Sequence, residues 1–178
     1  MIRQFIARLE KVVSHSRWLS ALYIAPYKKV LDREIAIANV DSDDVVLNIG
    51  CGAIPFTAIL LAQKTDAFVY AIDRDLRAVK AAQRVVGKYQ LQDRIKVVLH
   101  DAVEPFSHDV TLAFLSLQAQ PKAKIVDVLK ETMRPFRLLA RIPAQRYQRF
   151  YDAFPEMEAK KNAFHNMKAF EKTLYIEE

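Results

Sequence analysis

Glycine is scarce in this sequence, which has only three among 178 residues. Two of them, Gly50 and Gly52, stand one residue apart directly after the apolar run Val45–Ile49. Pro55 then opens a helical pattern, so the segment predicts a strand, a tight turn and a helix start. Such a turn lets a ligand lie against bare backbone at a helix N-terminus. In a chain so poor in glycine, the pair predicts a binding loop.

Cysteine is scarcer still, because Cys51 is the only one. A single cysteine excludes an internal disulfide and a cysteine-rich metal site. Its place in the turn is typical of a small filler residue more than of a reactive thiol. The four histidines show no paired metal spacing, so no metal is expected.

Long hydrophobic runs are also missing. The longest apolar stretch, residues 53–62, is too short to cross a bilayer. Charged residues at positions 3, 8, 10 and 11 interrupt any signal-peptide core. The expectation is a soluble cytoplasmic protein without a membrane contact.

Positive charge is present but scattered. The net charge of +6 and the pI of about 9.4 would tolerate an anionic partner. The densest basic pieces are residues 134–149 and Lys160-Lys161, and neither is a long run. A solvated basic surface is therefore favoured over a nucleic-acid footprint, and Arg141 and Arg146 are favoured as its edge over contacts with an anionic substrate.

The first 40 residues show the spacing of helices. Apolar residues recur at helical intervals at Ile2, Phe5, Ile6, Leu9, Val12 and Val13. Pro26 suits the first turn of a second helix that runs to about Asn39. A polar break follows at residues 41–44. We therefore predict a helical N-terminal extension, or cap, over residues 1–40 and one ligand-binding domain over residues 41–178.

Beyond the break, short apolar runs alternate with helical patterns. The predicted strands are Val45–Ile49, Phe68–Ile72, Ile95–Leu99, Val110–Leu115 and Leu138–Ile142. The predicted helices are Pro55–Lys64, Asp75–Tyr89, Pro121–Met133 and Pro143–Phe154, with Asp75 as a cap. Glu158–Phe164 and Ala169–Glu177 are predicted as two closing strands. This alternation predicts an α/β fold, a doubly wound and mostly parallel sheet with helices on both faces.

Acidic residues follow the next two predicted strands. Asp73 stands twenty-three residues after Gly50, and Asp101 follows the third strand. In a doubly wound sheet, ligands bind at the carboxyl ends of the strands. A carboxylate at the second strand end can accept both hydroxyl hydrogens of a ribose, and one at the third can accept from an adenine amino group. The three features together predict a ligand that contains adenosine.

The turn disfavours a phosphate. A dinucleotide fingerprint needs glycine where Pro55 stands, and proline also removes an N–H that a phosphate would use. No Gly-Lys-Ser/Thr follows, so a Walker loop is absent as well. S-adenosylmethionine fits better, since it carries adenine, ribose and an amino-acid end without phosphate.

These three segments resemble the class I S-adenosylmethionine-dependent methyltransferases. The resemblance rests on Val45–Thr57, Ala71–Asp75 and His100-Asp101-Ala102. It implies S-adenosylmethionine as cofactor, with Gly50, Cys51 and Gly52 at its amino-acid end, Asp73 on the ribose, and Asp101 with Ala102 at the adenine. Arg74 belongs to the second motif and joins the predicted cofactor-binding set.

Two positions depart from the family pattern. Asn48 stands where an acidic residue is usual, so its hold on the cofactor ammonium is weaker or water-mediated. Ile54 replaces the third glycine of the loop, and its side chain either enters the gap between sheet and helix or narrows the cofactor pocket. Both are counted among the cofactor-binding residues.

The ending of the loop is similar to that of a narrower group, the nicotianamine synthases and their relatives. Gly-x-Gly-x-Ile-Pro-x-Thr and the segment Asp109–Leu115 carry this likeness. That group implies transfer of the aminocarboxypropyl chain of S-adenosylmethionine. Its members are generally longer, with a larger helical N-terminal part.

The first hypothesis is a methyltransferase that acts on a small molecule. The alternatives are aminocarboxypropyl transfer and a non-catalytic module that binds S-adenosylmethionine, with an RNA methylase suggested by charge alone. Methyl transfer needs little beyond positioning, so no catalytic residue is predicted. Tyr23, Tyr27 and Gln118 are the candidates for contact with the substrate.

Overall fold

The computed structural model describes residues 25–178 of the chain. A short 3₁₀ turn, Ala25–Tyr27, leads into the first helix. The helices are α1 (Lys28–Ala38), α2 (Phe56–Thr65), α3 (Leu76–Tyr89) and α4 (Lys122–Thr132). The strands are β1 (Val45–Ile49), β2 (Phe68–Asp73), β3 (Ile95–Leu99), β4 (Leu112–Leu115), β5 (Arg137–Pro143), β6 (Lys161–Phe164) and β7 (Phe170–Glu177). The predicted apolar stripe of residues 2–13 and Tyr23 lie outside the described residues.

All seven strands form one sheet in the order β3-β2-β1-β4-β5-β7-β6. The five strands β1–β5 are parallel, and β7 and β6 continue the sheet antiparallel. The chain first builds outward from β1 to β3 and then returns to place β4 on the other side of β1. The strand order therefore reverses between β1 and β4, which is where such sheets bind ligands. The predicted α/β class and mostly parallel sheet are confirmed.

The two faces of the sheet carry different cover. Alternate strand residues point to opposite faces, because side chains in a strand alternate. Helices α1, α2 and α3 pack on one face, against buried residues that include Val46, Val69, Phe114 and Leu139. Helix α4 packs on the other face, against buried residues that include Leu47, Leu115, Leu138 and Ala140. Irregular segments complete this second face through Val103, Phe106, Phe154 and Met157.

Most predicted element bounds agree with the structure within one or two residues. Asp75 is the N-cap of α3, where its side chain accepts a hydrogen bond from the Arg77 N–H at 2.8 Å. Asn39 ends α1 in the left-handed conformation, with φ of 52°. The two closing strands form the antiparallel pair β6 and β7.

The predicted helix over Pro143–Phe154 is wrong. Pro143 ends β5, paired with Phe170, and a 3₁₀ turn follows over Gln145–Phe150 with no buried residue. The guanidiniums of Arg146 and Arg149 lie over the rings of Tyr147 and Phe150, at 5.0 and 4.7 Å from the ring centroids. Phe150 is exposed and Tyr147 is half-buried, so their three-residue spacing reflects a surface turn and not a buried helix face.

Within residues 25–178, no helix combines the length and the hydrophobicity needed to span a membrane.

Candidate functional site

A cavity of about 690 Å³ opens at the carboxyl ends of the parallel strands. Its wall includes residues that directly follow β1, β2, β3 and β4, and it continues to β5 and β7. The cavity thus lies at the point where the strand order reverses. It brings together most of the residues that the sequence predicted for the site, although these come from separate segments of the chain.

The turn after β1 has the geometry that its glycines predict. Gly50 and Gly52 have φ angles of 72° and 69°, in the left-handed region that side chains disfavour. A Cβ on Gly50 would lie 3.4 Å from Ala119 Cβ and 3.6 Å from Ser116 Cβ. The turn therefore favours glycine for its backbone conformation, whereas a Cβ at Gly50 would meet the loop after β4 at van der Waals distance.

The N–H groups of this turn bind within the protein. Gly50 and Cys51 both donate to the Ile72 carbonyl, at 2.9 and 3.0 Å, and Gly52 donates to Asp73 Oδ2 at 2.9 Å. The turn consequently offers a ligand smooth backbone surface more than free donors. That surface suits a nucleoside better than a phosphate, which needs N–H donors.

Asp73 ends β2 and joins two loops. Its Oδ2 accepts from Gly52 N, and its Oδ1 accepts from Asp75 N at 3.0 Å. Each carboxylate oxygen has a further lone pair, so the group can still accept two hydrogens from a ligand. The backbone bonds fix its orientation on the cavity wall.

Asp101 and Ala102 line the cavity beyond β3, as does His100. Asp101 Oδ1 accepts from Val103 N at 3.3 Å, and its carbonyl accepts from Glu104 N at 3.0 Å, so Asp101 shapes a tight turn. His100 is held by the Glu104 carbonyl at 3.0 Å and by edge contact with the Phe106 ring. These contacts fix the orientation of the His100 ring.

Asn48 is buried at the end of β1 and lines the cavity. Its Nδ2 donates to Ser116 Oγ at 3.5 Å, while Oδ1 has no hydrogen-bond partner among residues 25–178. A buried acceptor without a donor is unfavourable unless a ligand supplies one. This orphaned oxygen fits an ammonium or amide donor in the cavity, so the residues present fit the amino-acid end of S-adenosylmethionine.

Ile54 does not line the cavity, contrary to its place in the predicted set. Its side chain is 1% exposed and packs in the core between the sheet and the helices. A tight turn, with Phe56 N donating to the Ile54 carbonyl at 2.8 Å, precedes α2 at this point. The apolar side chain gains more by burial in the core than it would against a polar ligand.

Arg74 lines the cavity but is exposed, and its Nη1 donates to the Gln120 carbonyl at 3.4 Å. Among the predicted substrate contacts, Tyr27 and Gln118 both lie on the cavity wall. The Tyr27 ring lies 4.0 Å from the Phe56 ring, centroid to centroid.

Sequence reasoning missed a buried polar cluster beside the cavity, which comprises Glu34, Thr57, Arg141, His165 and Thr173. Arg141 Nε and Nη2 donate to the two carboxylate oxygens of Glu34 at 2.9 and 2.8 Å. Arg141 Nη1 donates to Thr57 Oγ1 at 3.2 Å. The expectation that Arg141 forms a solvated basic edge is wrong, because the ion pair holds it inside. Arg146 is exposed, as that expectation requires.

The rest of the cluster orients His165. Thr173 Oγ1 donates to Glu34 Oε1 at 2.6 Å, and therefore accepts from His165 Nε2 at 2.9 Å. The proton then stands on Nε2, and the buried Nδ1 has no partner among the described residues. Burial lowers the pKa of His165 below its usual 6.5, with Arg141 and Arg33 acting in the same direction and Glu34 against it.

A sequence signal for this cluster exists in α1. The buried stripe of the helix is Val30, Leu31, Glu34 and Ala38, which follows helical spacing. A glutamate inside an apolar stripe needs a buried partner, because burying an unpaired charge is costly. Arg141 is likewise a charged residue within an apolar run, that of β5, so it also needs a buried partner.

Known proteins share this fold and parts of this sequence. Residues 30–115 match the family model described as "Methyltransferase small domain". The nicotianamine synthase MtNAS, solved in complex with MTA and tNA, superposes with a TM-score of 0.79 at 17% identity over 95% of this chain and 69% of its own. An RNA methyltransferase from Salinibacter ruber, solved with S-adenosyl-L-homocysteine, has a TM-score of 0.69 at 19% identity over 84% of this chain and 90% of its own.

The chain has the class I methyltransferase fold. The resemblance to the S-adenosylmethionine-dependent methyltransferases is confirmed by the fold and by the family-model match over residues 30–115, and the resemblance to the nicotianamine synthase-like group is confirmed by the fold.

Curated enzymes are also related to this chain in sequence. L-histidine 2-aminobutanoyltransferase from Pseudomonas aeruginosa PAO1 is 27% identical over 136 residues, which cover 74% of this chain and 52% of that protein. The enzyme of the same name from Yersinia pestis is 27% identical over 122 residues, 67% of this chain and 45% of that protein. The chain thus spans about half the length of the curated relatives it matches.

Proposed function

We propose that this protein is a transferase that uses S-adenosylmethionine and acts on a small-molecule acceptor. The observation that carries the proposal is the cavity at the strand-order reversal, where the Gly50–Gly52 turn, Asp73, Asp101 and the orphaned Asn48 oxygen meet. Several structural neighbours were solved with S-adenosylmethionine or S-adenosyl-L-homocysteine, which supports this cofactor.

The residues of the wall divide the work of holding such a cofactor. Asp73 would accept the ribose hydroxyl hydrogens, and the smooth Gly50–Gly52 turn would lie against the amino-acid end. Asn48 Oδ1 would accept from the ammonium. When bound, S-adenosylmethionine supplies a sulfonium whose attached carbons are open to a nucleophile, with a neutral thioether as leaving group.

The relatives favour transfer of the aminocarboxypropyl chain. A 2-aminobutanoyl group, named in the activity of the curated relatives, has the four carbons and the amino group of that chain. The Ile54-Pro55-Phe56-Thr57 ending of the loop supports the same choice, as does the fold likeness to MtNAS. The proposal therefore places this transfer ahead of methyl transfer, which the sequence alone ranked first.

Methyl transfer remains the second candidate. It is favoured by the family-model match over residues 30–115 and by the likeness to the Salinibacter ruber enzyme. The two reactions leave different nucleosides, since methyl transfer leaves S-adenosylhomocysteine and aminocarboxypropyl transfer leaves methylthioadenosine.

The aromatic part of the cavity suits an acceptor. Tyr27, Phe56 and Phe170 line it, on the side of the sheet away from Asp73 and Asp101. Their rings displace water from the space where an acceptor would sit, and low local polarity strengthens each polar contact made there. A small amine with a flat or apolar body fits this surface.

Product analysis tests the proposal. The protein is incubated with S-adenosylmethionine and L-histidine as the first acceptor probe, followed by other amino acids, and the nucleosides are separated by chromatography. We expect methylthioadenosine, in amounts that fall sharply in Asp73→Ala. S-adenosylhomocysteine as the sole product would replace the first candidate by methyl transfer, while failure of the protein to bind either nucleoside would overturn both.

A further inference from the structure

Arg141 differs from the other arginines on the cavity wall. Arg74 and Arg77 are exposed, whereas the Arg141 side chain is 3% exposed and still lines the cavity. We propose that Arg141, together with Thr57, binds a carboxylate of a ligand in the cavity. This inference rests on the proposed function, to which it adds the chemical group that the β5 side of the cavity recognises.

Arg141 has donors to spare. A guanidinium carries five N–H groups. Three are engaged in the structure, two on the Glu34 carboxylate and one on Thr57 Oγ1. Nε donates its single N–H, and Nη1 and Nη2 each donate one of their two. One N–H on Nη1 and one on Nη2 are therefore unengaged. Thr57 accepts from Arg141, so its own hydroxyl hydrogen is available to a ligand as well.

The guanidinium of Arg141 is held in one orientation before any ligand binds. The two-point bond to Glu34 fixes the plane of the guanidinium, and the rings of Phe114, Phe170 and Phe56 lie 4.8, 5.2 and 5.3 Å from its central carbon. Rings on several sides keep water away from the group, which makes a charge-assisted hydrogen bond stronger. A planar, two-oxygen anion matches paired N–H donors better than a single carbonyl does.

The charge of the cluster also permits an anion. Glu34 balances Arg141, which allows the pair to be buried without a ligand. Thr57 stands in the first turn of the ten-residue helix α2, whose positive end favours a negative group. The carboxylate can come from the amino-acid end of the cofactor or from the acceptor, and the chemistry at Arg141 is the same in both cases.

Calorimetric titrations distinguish these sources. The ligands are S-adenosylhomocysteine, which has a carboxylate, and methylthioadenosine, which has none. The variant replaces Glu34→Leu and Arg141→Met together, because removing both charges leaves no unpaired ion in the core. The matched control is Asp44→Asn with Arg137→Met, a second ion pair whose arginine also belongs to β5 and whose residues do not line the cavity.

A cofactor carboxylate at Arg141 predicts at least tenfold weaker binding of S-adenosylhomocysteine in the double variant, with methylthioadenosine unchanged. An acceptor carboxylate predicts no change for either nucleoside. It predicts instead that amino acids bind at least tenfold more weakly to the double variant than to the wild type. Amino-acid amides, which lack the carboxylate, should bind the wild type as weakly as amino acids bind the double variant. The amino-acid arm uses all twenty common amino acids, with and without a saturating nucleoside. Thr57→Val should weaken amino-acid binding by a smaller factor in the same titrations.

Equal affinities of the wild type and the double variant for every ligand would overturn the inference about Arg141, even if both proteins bind the nucleosides. Absence of nucleoside binding to the wild type would overturn the proposed function alone, since the amino-acid arm is also read on the free protein. Urea unfolding of each variant confirms that a loss of affinity is not a loss of fold.

Discussion

The two sides of the cavity differ in how far apart in sequence their contacting residues lie. Near β1 and β2, the bonds of the glycine turn and of the Asp73 carboxylate join residues 2 to 22 positions apart, as in Asp73 to Asp75 and Gly50 to Ile72. Near β5 and β7, the bonds made by Arg141 and Glu34 join residues 84 to 139 positions apart, as in Arg141 to Thr57 and Thr173 to Glu34. The first side is a local motif, and the second exists only once the whole sheet has assembled.

This difference separates two kinds of consequence. A change in the local motif acts on ligand binding and leaves most of the sheet intact. A change in the distant cluster acts on global stability as well as on the proposed carboxylate site, because Glu34 connects α1 to β5 and β7.

The largest effect is expected for Glu34→Leu alone. It leaves the Arg141 charge buried without a partner, which should lower the free energy of unfolding by about 3–5 kcal/mol. Urea denaturation measures the change. The double replacement with Arg141→Met should recover most of the loss, and a single variant that loses less than about 1 kcal/mol would show that the pair is not a stabilising link between the elements.

A substitution in the turn after β1 should lower the free energy of unfolding by less. Gly50→Ala forces a side chain into a left-handed φ of 72° and towards Ala119, with an expected loss of about 1–2 kcal/mol. The matched control is Gly87→Ala inside α3, where the new Cβ meets only the end of the Gln92 side chain at 3.5 Å. That change should stabilise the protein by about 0.5–1 kcal/mol, because alanine favours helix. Equal effects of the two changes would contradict the assigned role of the turn.

The smallest effect is a pH dependence from His165. The fold disfavours its charged form and lowers its pKa, so the unfolded chain takes up the proton first. Stability is therefore complete above the ordinary pKa of 6.5 and falls as the pH drops below it, by less than about 1.4 kcal/mol for each pH unit. His165→Gln can still donate to Thr173 but cannot take up the proton. Its unfolding free energy should change less between pH 7 and about pH 5, and identical slopes would exclude His165 as the source.

The sequence was sufficient where the fold is local. Gly50, Gly52, Asp73 and Asp101 could be placed at strand ends because each follows a short apolar run, and parallel strands bring their carboxyl ends together. Ile54 was harder, since a side chain after a tight turn can face either the core or the ligand. The turn geometry decides between these, and it directs Ile54 into the core.

The sequence was insufficient where contacts are distant. Arg141 resembles a surface arginine until Glu34 is known to face it from a helix 107 positions earlier. The aromatic residues at 147, 150 and 151 have a spacing that suits a helix, yet β5 continues to Pro143, which pairs with Phe170, and only a 3₁₀ turn follows. In both cases, contacts with distant residues that spacing does not encode override the local pattern.

The most direct test of the account is a calorimetric titration of the protein with S-adenosylhomocysteine, repeated on Asp73→Ala and Asp73→Asn. The account predicts micromolar binding to the wild type and a loss of roughly 10- to 100-fold in Asp73→Ala, the range expected when hydrogen bonds to a charged group are removed. Asp73→Asn, which keeps one acceptor oxygen, should lose less. Absence of binding at millimolar ligand, or equal binding by all three proteins, would contradict the assignment of this cavity as a cofactor site.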